Sequence, residues 1–371
     1  MILRNADYVS FVKRIRENDK KIIVYGAGMI GQIIVPYLIS EYQLYDRLEC
    51  FVDADLRKKG QAIEIDKIQY KITTPDYLDT IDGSYNILIS NSKFFPVVRF
   101  LDAKHNLDNI ETYIIPMMQI YDLERLNPIS VERKTERQRI PKKIHYCWFG
   151  GKEMPSFLQN CIASWKNMCP DYEIIEWNEQ NYDVNKYAFT KEAYENKKYG
   201  FVTDLARLDI LYEHGGVYMD TDVTLLKNLD VMLFQEGFIG TEKWGNINTG
   251  GGCGFVAGHP MLKTMLEYRK QFHFVMEDGT FNLETNGVYE TRPFLERGFK
   301  PNNELQVIDN VTVYPSYIQH PYDYMSCQNQ EKSSTVSMHH FFGGWMEEED
   351  KLNRKKTQDE YECIVDRMKN L

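Results

Sequence analysis

The sequence predicts an α/β protein built from two units, and three stretches carry that expectation. Lys21–Tyr25 is an apolar run entering the turn Gly26-Ala27-Gly28-Met29-Ile30-Gly31, after which Ile33, Ile34, Tyr37 and Leu38 recur at helical spacing. A polar, proline-punctuated connection ends where a second apolar strand opens at Ile140. Between Phe201 and Leu226 a helix, a glycine pair, a short strand and two aspartates follow in that order. A length of 371 residues suits two domains, each large enough to bury a core.

The first stretch is the strand, glycine turn and helix of a Rossmann-like unit. A second strand, Leu48–Val52, runs into Asp53, near the position of an acidic residue that would hold a ribose, and Asn86–Ser90 reads as a later strand of the same sheet. Either a nucleotide phosphate sits at the helix N-terminus, or the glycines serve only a tight turn and close packing. A lone glycine fingerprint indicates fold, not function. Oxidoreductase or epimerase chemistry would also need a catalytic partner, and the Tyr-x-x-x-Lys matches at Tyr182 and Tyr194 fall in polar sequence of the other unit.

Leu123 to Lys143 is charged and holds Pro128, Pro141 and the basic residues Arg133, Lys134, Arg137, Arg139, Lys142 and Lys143. It reads as a solvated interdomain connection, with contact to anionic lipid headgroups as the alternative. The formal net charge of -10 disfavours a nucleic-acid partner, which would need a cationic face. The chain start lacks the apolar core of a signal peptide, and no apolar run reaches the roughly 18 to 20 residues of a membrane span. Seven scattered cysteines without a Cys-x-x-Cys pair favour a reduced, cytoplasmic setting, with peripheral membrane contact left open.

Chemistry concentrates in the second unit. Thr203 is the expected N-cap of a helix carrying Leu205, Leu208, Leu211 and Tyr212 and stopping at Gly215-Gly216. Val217-Tyr218-Met219 then reads as a buried strand, with Asp220 and Asp222, two apart, pointing to one side. Partly buried carboxylates that converge repel each other, so a positive partner is expected between or beside them. Oxygen ligands beside a diphosphate suit Mn²⁺ or Mg²⁺. Spacing alone decides nothing, because Asp53 and Asp55 repeat it without comparable surroundings. Context separates the two, with Asp204 and Arg207 one helical turn apart just upstream of the second pair.

This block resembles the nucleotide-sugar-binding core of glycosyltransferase family 32, the group of initiating mannosyltransferases and capsular-polysaccharide enzymes. It is more distantly similar to the catalytic domain of the large clostridial glucosylating toxins. The resemblance covers roughly Ile140 to Trp345 and includes an Ile-His-x-x-Trp strand at Ile144, His145 and Trp148. It implies a GT-A domain over residues 140–346, preceded by the Rossmann-like unit over 1–122 and a linker over 123–139, and followed by a helical tail over 347–371. It also implies a retaining transfer from a UDP- or GDP-sugar to a glycan or lipid-linked acceptor. Bacterial surface polysaccharide synthesis is the implied setting.

Residue by residue, the resemblance gives Asp222 as the direct metal ligand and Asp220 as a ligand through water or a ribose contact. Asp204 and Arg207 would grip sugar hydroxyls, and Trp148 would stack on the base. Asn248, in the glycine-rich Asn246–Gly254, would line the sugar pocket beside Tyr218. His145 reads as a core histidine. Val288 stands where the family has a proline. Near the end, His340 is the expected third ligand and the Trp345 indole a phosphate donor, with Gly344 replacing the family's serine. Two other readings stay open: a nicotinamide-dependent sugar-nucleotide oxidoreductase or epimerase, and a non-catalytic sugar-nucleotide-binding protein.

Overall fold

A computed structural model describes residues 1–119, 126–323, 328–342 and 348–369. The chain divides into unit 1, Met1–Asn127 with Leu352–Leu371, and unit 2, Pro128–Lys351. Both are α/β, as expected.

Among the described residues, unit 1 holds seven strands, β1 (Ile2–Leu3), β2 (Lys21–Tyr25), β3 (Leu48–Val52), β4 (Ala62–Ile65), β5 (Ile68–Thr73), β6 (Tyr85–Ile89) and β7 (Glu111–Ile114), and the helices α1 (Tyr8–Asn18), α2 (Val35–Glu41) and α3 (Phe95–Asp102). The sheet order is β1-β7-β6-β2-β3-β5-β4, parallel except for the β4–β5 pair. Strand β2 is central and apolar on both faces because the sheet is covered on both sides. Its glycine turn is tight. Gly26 has φ +118°, and a Cβ on Gly31 would collide with the Gly26 carbonyl. The expected helix starts as one π-helical turn, Ile30–Ile34, before α2 takes over.

Asp53 is engaged within the unit. One carboxylate oxygen accepts from the Ala27 N–H at 2.7 Å and from Lys58 at 3.2 Å, and the other accepts from the Asp55 N–H at 2.9 Å.

Two expectations about the connections change. From Pro128 onward the expected linker belongs to unit 2, because its amides have fixed partners. Lys134 and Thr135 N–H donate to the Phe234 carbonyl at 3.0 and 2.8 Å, and Arg139 and Ile140 N–H donate to the Leu233 carbonyl at 2.9 and 3.1 Å. The basic run is largely spoken for: Arg133 lies 4.0 Å from the Phe234 ring centroid, Arg139 meets Glu236 at 3.1 Å, Lys142 meets Asp171 at 2.6 Å and Asp230 at 2.8 Å, and Lys143 meets Glu173 at 3.7 Å. The C-terminal tail is helical, Glu348–Lys369, and its greater part completes unit 1. Tyr361, Ile364 and Met368 form its buried stripe, and Arg367 bonds Asp102 through both Nη atoms and the Met1 carbonyl through Nη2.

Unit 2 contains β8 (Lys143–Cys147), β9 (Glu173–Trp177), β10 (Gly216–Tyr218), β11 (Val223–Leu225), β12 (Gly237–Thr241), β13 (Ile247–Asn248), β14 (Cys253–Phe255), β15 (Gln306–Ile308), β16 (Val311–Tyr314), β17 (Tyr322–Asp323), β18 (Gln328–Asn329) and β19 (Ser337–His339). Its helices are α4 (Ser156–Met168), α5 (Ala188–Glu195), α6 (Tyr199–His214), α7 (Pro260–Arg269) and α8 (Asn286–Leu295). The main sheet runs β15-β16-β12-β14-β10-β8-β9, with β13 paired to β12 and β11 paired separately to β19. Strands β9, β8 and β10 are parallel, and β14 is antiparallel to both β10 and β12.

Helix α6 begins four residues before the expected cap. Thr203 lies inside it and its hydroxyl donates back to the Tyr199 carbonyl at 3.2 Å. From Leu205 to Leu211 every residue is buried, so α6 is an interior helix, and this is why its apolar spacing understated its length. It ends at Gly215, φ +62°, and at Gly216, φ +100°, a Cβ would lie 2.9 Å from His145 Nε2 and 3.0 Å from the Lys143 carbonyl.

That carbonyl-side neighbour, His145, is the core histidine the sequence suggested. Its Nδ1 accepts from the Trp177 indole N–H at 3.1 Å, so Nε2 carries the proton and donates to the Gly215 carbonyl at 2.9 Å. Burial pulls its pKa down to about 4. A histidine depressed in the fold contributes stability that is fully present above its unfolded pKa of about 6.5 and is lost as the pH falls from there toward 4. Urea titrations at pH 7.5 and 4.5 should therefore show wild type losing on the order of 3 kcal/mol more than His145→Gln over that interval. An equal loss in the two proteins would refute the neutral, buried assignment.

Candidate active site

The site is built where β10 hands the chain to β11. Asp220 and Asp222 lie in that turn, the Asp220 N–H donates to the Gly250 carbonyl at 2.8 Å, and the Val223 N–H donates to the Asp220 carbonyl at 3.1 Å. Helix α4 secures the far side. The Trp165 indole donates to the Val223 carbonyl at 2.7 Å, and the Leu225 N–H donates to the Ser164 hydroxyl at 2.9 Å. Helix α4 therefore holds the acidic turn in place.

Each carboxylate has its own positive neighbour. The Asp220 Oδ1 accepts the Tyr218 hydroxyl at 2.9 Å and lies 3.3 Å from Arg207 Nη2. The same Nη2 donates to Asp204 at 2.9 Å. Asp222 accepts the Phe342 N–H at 2.7 Å and faces His339 Nε2 at 3.3 Å, and that nitrogen is 3.9 Å from Asp220 Oδ2. Burial works against both charges of the second pair. The His339 imidazole outweighs it at Asp222, which is held at about 2, and the two carboxylates outweigh it at His339, whose pKa is raised. Burial also lifts Asp204 to about 6, against the pull of Arg207 and of Arg269, a buried guanidinium 3.8 Å from the ring centroids of both Phe189 and Tyr289.

Asp220, Asp222 and His339 each offer one ligand atom, all within 4.8 Å of one another. Two carboxylates and an imidazole make a donor set that fits a divalent cation such as Mn²⁺. The third member is His339 and not the expected His340. Strand β19 pairs antiparallel with β11 so that His339 stands opposite Val223, beside Asp222. Successive residues of a strand face opposite sides, which sends His340 the other way, with its Nε2 2.8 Å from the Thr224 hydroxyl and its ring against Phe157. The His-His doublet was visible in the sequence. Its parity was not, because it depends on which strand it pairs with.

Other expected residues fall near this turn in different roles. Tyr218 is fully buried and acts on Asp220 instead of lining a ligand surface. Asn248 braces the glycine turn: its Oδ1 accepts the Gly250 and Gly251 N–H groups at 2.7 and 3.2 Å, and its Nδ2 donates to Glu242 at 2.6 Å. His320, unmarked in the sequence, lies 3.2 Å from Asn248 Oδ1, with its ring 5.6 Å from that of His339. Trp148 is half-buried just past the carboxyl end of β8, with its indole N–H on the Lys152 carbonyl at 2.7 Å. Val288, in place of the family's proline, lies in the first turn of α8. Trp345 lies outside the described residues.

The glycine run serves close packing against the site's own side chains. A Cβ on Gly250 would collide with Asp220 Oδ2, and one on Gly251 would collide with His320 Nε2.

Residues 155–239 match the sequence model of a glycosyltransferase sugar-binding region containing a DXD motif. The matched span reaches from the start of α4 into β12 and includes Asp204, Arg207, Asp220 and Asp222. Inositol phosphoceramide mannosyltransferase 3 of Schizosaccharomyces pombe is 29% identical over 139 residues, which is 36% of this chain and 38% of that protein. An uncharacterized glycosyltransferase, L373, of Acanthamoeba polyphaga mimivirus is 28% identical over 186 residues, 47% of this chain and 73% of that one. The chain thus spans well under half the length of the S. pombe relative. Among solved structures, galactosyltransferase LgtC in complex with donor and acceptor sugar analogs aligns with a TM-score of 0.31 at 12% identity, covering 59% of this chain and 94% of that chain.

The packing gives a direct test. Gly250→Ala should weaken Mn²⁺ binding by about tenfold or more, measured by calorimetry, as expected when a metal ligand's support is disturbed. Gly83→Ala, where a Cβ meets nothing within 4 Å, should leave it unchanged. Equal affinities in the two variants would remove Asp220 from the metal set.

Proposed function

We propose that this protein is a metal-dependent retaining glycosyltransferase that moves a sugar from a nucleoside diphosphate sugar, UDP- or GDP-linked, to a glycan or lipid-linked acceptor. The observation that carries this reading is the convergence of Asp220, Asp222 and His339 inside and beside the segment that matches the DXD sugar-binding region. A divalent cation bound there would offset the negative charge that grows on a departing diphosphate. The rest falls to the chain's own side chains. Tyr218 and Arg207 hold Asp220 in place, and the Phe342 N–H fixes one oxygen of Asp222. Arg207, 5% exposed and bonded to Asp204, is a preorganised positive group beside the reacting centre, and Asp204 has an acceptor oxygen for a sugar hydroxyl. Trp148 offers the base a half-exposed ring, and Trp345 a phosphate donor.

The setting is also a proposal. Transfer onto a bacterial surface polysaccharide, in the cytoplasm or at the inner membrane face, agrees with described cysteines that are all free and with described helices none of which is long and apolar enough to cross a membrane. Membrane contact would need a surface other than the basic run at 133–143, most of whose cations already have partners. The oxidoreductase reading rests on the glycine turn of unit 1, where both oxygens of Asp53 are already engaged.

Asp222→Asn should abolish Mn²⁺-dependent hydrolysis of the donor in a screen of sugar nucleotides, while Asp55→Asn, whose carboxylate pairs with Arg57 in unit 1, should match wild type. Equal loss in both, or full activity in EDTA, would sink the proposal, and NAD consumed in turnover would favour the oxidoreductase. Trp148→Ala should weaken binding of the free nucleoside diphosphate by about 1 to 3 kcal/mol, the worth of a base-aromatic stack. Unchanged affinity by calorimetry in a folded variant would return Trp148 to a packing role.

A further inference from the structure

A second buried carboxylate lies behind the acidic turn. Glu290, on α8, is 2% exposed, and burial pushes its pKa up to about 7 despite Arg207 and the hydrogen bonds from Thr249. Its Oε2 accepts the Thr249 N–H at 2.8 Å, and its Oε1 accepts the Thr249 hydroxyl and the Asn286 carboxamide. A threonine hydroxyl has one proton to give and lone pairs to offer. With the proton committed to Glu290, the Thr249 oxygen is turned to accept, and it accepts Arg207 Nη1 at 3.1 Å. Arg207 Nη2 meets Asp204 and Asp220. Glu290, Thr249, Arg207 and Asp220 thus form one connected line.

We propose that Glu290 is a positioning residue for sugar transfer: through the Thr249 hydroxyl it fixes the Arg207 guanidinium against Asp204 and Asp220. The inference rests on the glycosyltransferase reading. An amide at position 290 keeps the shape but presents an N–H toward the Thr249 oxygen, and that N–H competes with Arg207 for the same lone pairs. A buried carboxylate used only to staple α8 to the β13 end would be costly to desolvate, and an apolar side chain would fill the space at lower cost. The staple and the relay differ in what they do to turnover. A staple spends its effect on stability, whereas the relay acts on Arg207.

The test uses the full chain with Mn²⁺ and a sugar nucleotide that wild type hydrolyses. Glu290→Gln and Thr249→Val should each lower kcat about 10- to 100-fold with donor KM within about twofold, the pattern of an interaction that matters in the transition state. Thr249→Ser, which keeps the hydroxyl, should stay within about threefold of wild type, and the Glu290→Gln/Thr249→Val double variant should be no worse than either single one, as for members of one connected network. Wild-type kcat in Glu290→Gln, or multiplicative losses in the double variant, would overturn the inference. Should Glu290→Gln not fold, Thr249→Val and Thr249→Ser decide it, equal activities counting against. An active wild type with indifferent variants removes this inference alone, whereas a wild type that hydrolyses no donor removes the glycosyltransferase reading and this inference with it.

Discussion

Two partly buried carboxylates two residues apart are the constraint on which unit 2 is organised. Carboxylates so placed repel each other and are costly to desolvate unless opposite charge lies close by. The fold meets each chiefly with a different residue, one from upstream in the sequence and one from downstream. Arg207 comes from the interior of α6, just upstream, and His339 arrives more than a hundred residues later by strand pairing. An imidazole can exchange its proton for a cation, whereas a guanidinium stays charged and stays put. The arrangement therefore keeps one fixed positive group and one replaceable one.

Burial of α6 on nearly all sides follows from the same constraint. An arginine on an exposed helix face would be screened by water and free to move. Arg207 is instead enclosed by Thr249, Asp204, Asp220 and the Tyr218 ring, its guanidinium 5.1 Å from that ring's centroid. The glycines of the 250–252 turn permit this enclosure, since side chains there would occupy the space that Asp220 and His320 fill.

Much of this was legible from local pattern. Strands β2 and β3 match their predicted spans, because buried parallel strands read as continuous apolar runs, here bounded by a glycine and an acidic residue. The Asp204 to Asp222 block was legible because all its members lie within one helix-turn-strand unit. His339, His320 and Glu290 were not, since each reaches the site through pairing or packing that no local window contains. The linker misled for a related reason. A stretch rich in lysine, arginine and proline looks solvated until the Leu233 and Phe234 carbonyls and the acidic residues of unit 2 are seen to receive it.

The return of the C-terminal helix to unit 1 bears on the order in which the molecule matures. Arg367 binds the carbonyl of Met1 and the carboxylate of Asp102, so segments more than two hundred residues apart in sequence close the same body. During synthesis residues 1–127 wait, with their docking surface for this helix uncovered, until residues 352–369 have left the ribosome. Unit 2, contiguous from Pro128 to Lys351, has all its strands and both ends of its acidic turn before then. Of the two units, the one begun earlier is completed later, and unit 2 matures inside the interval.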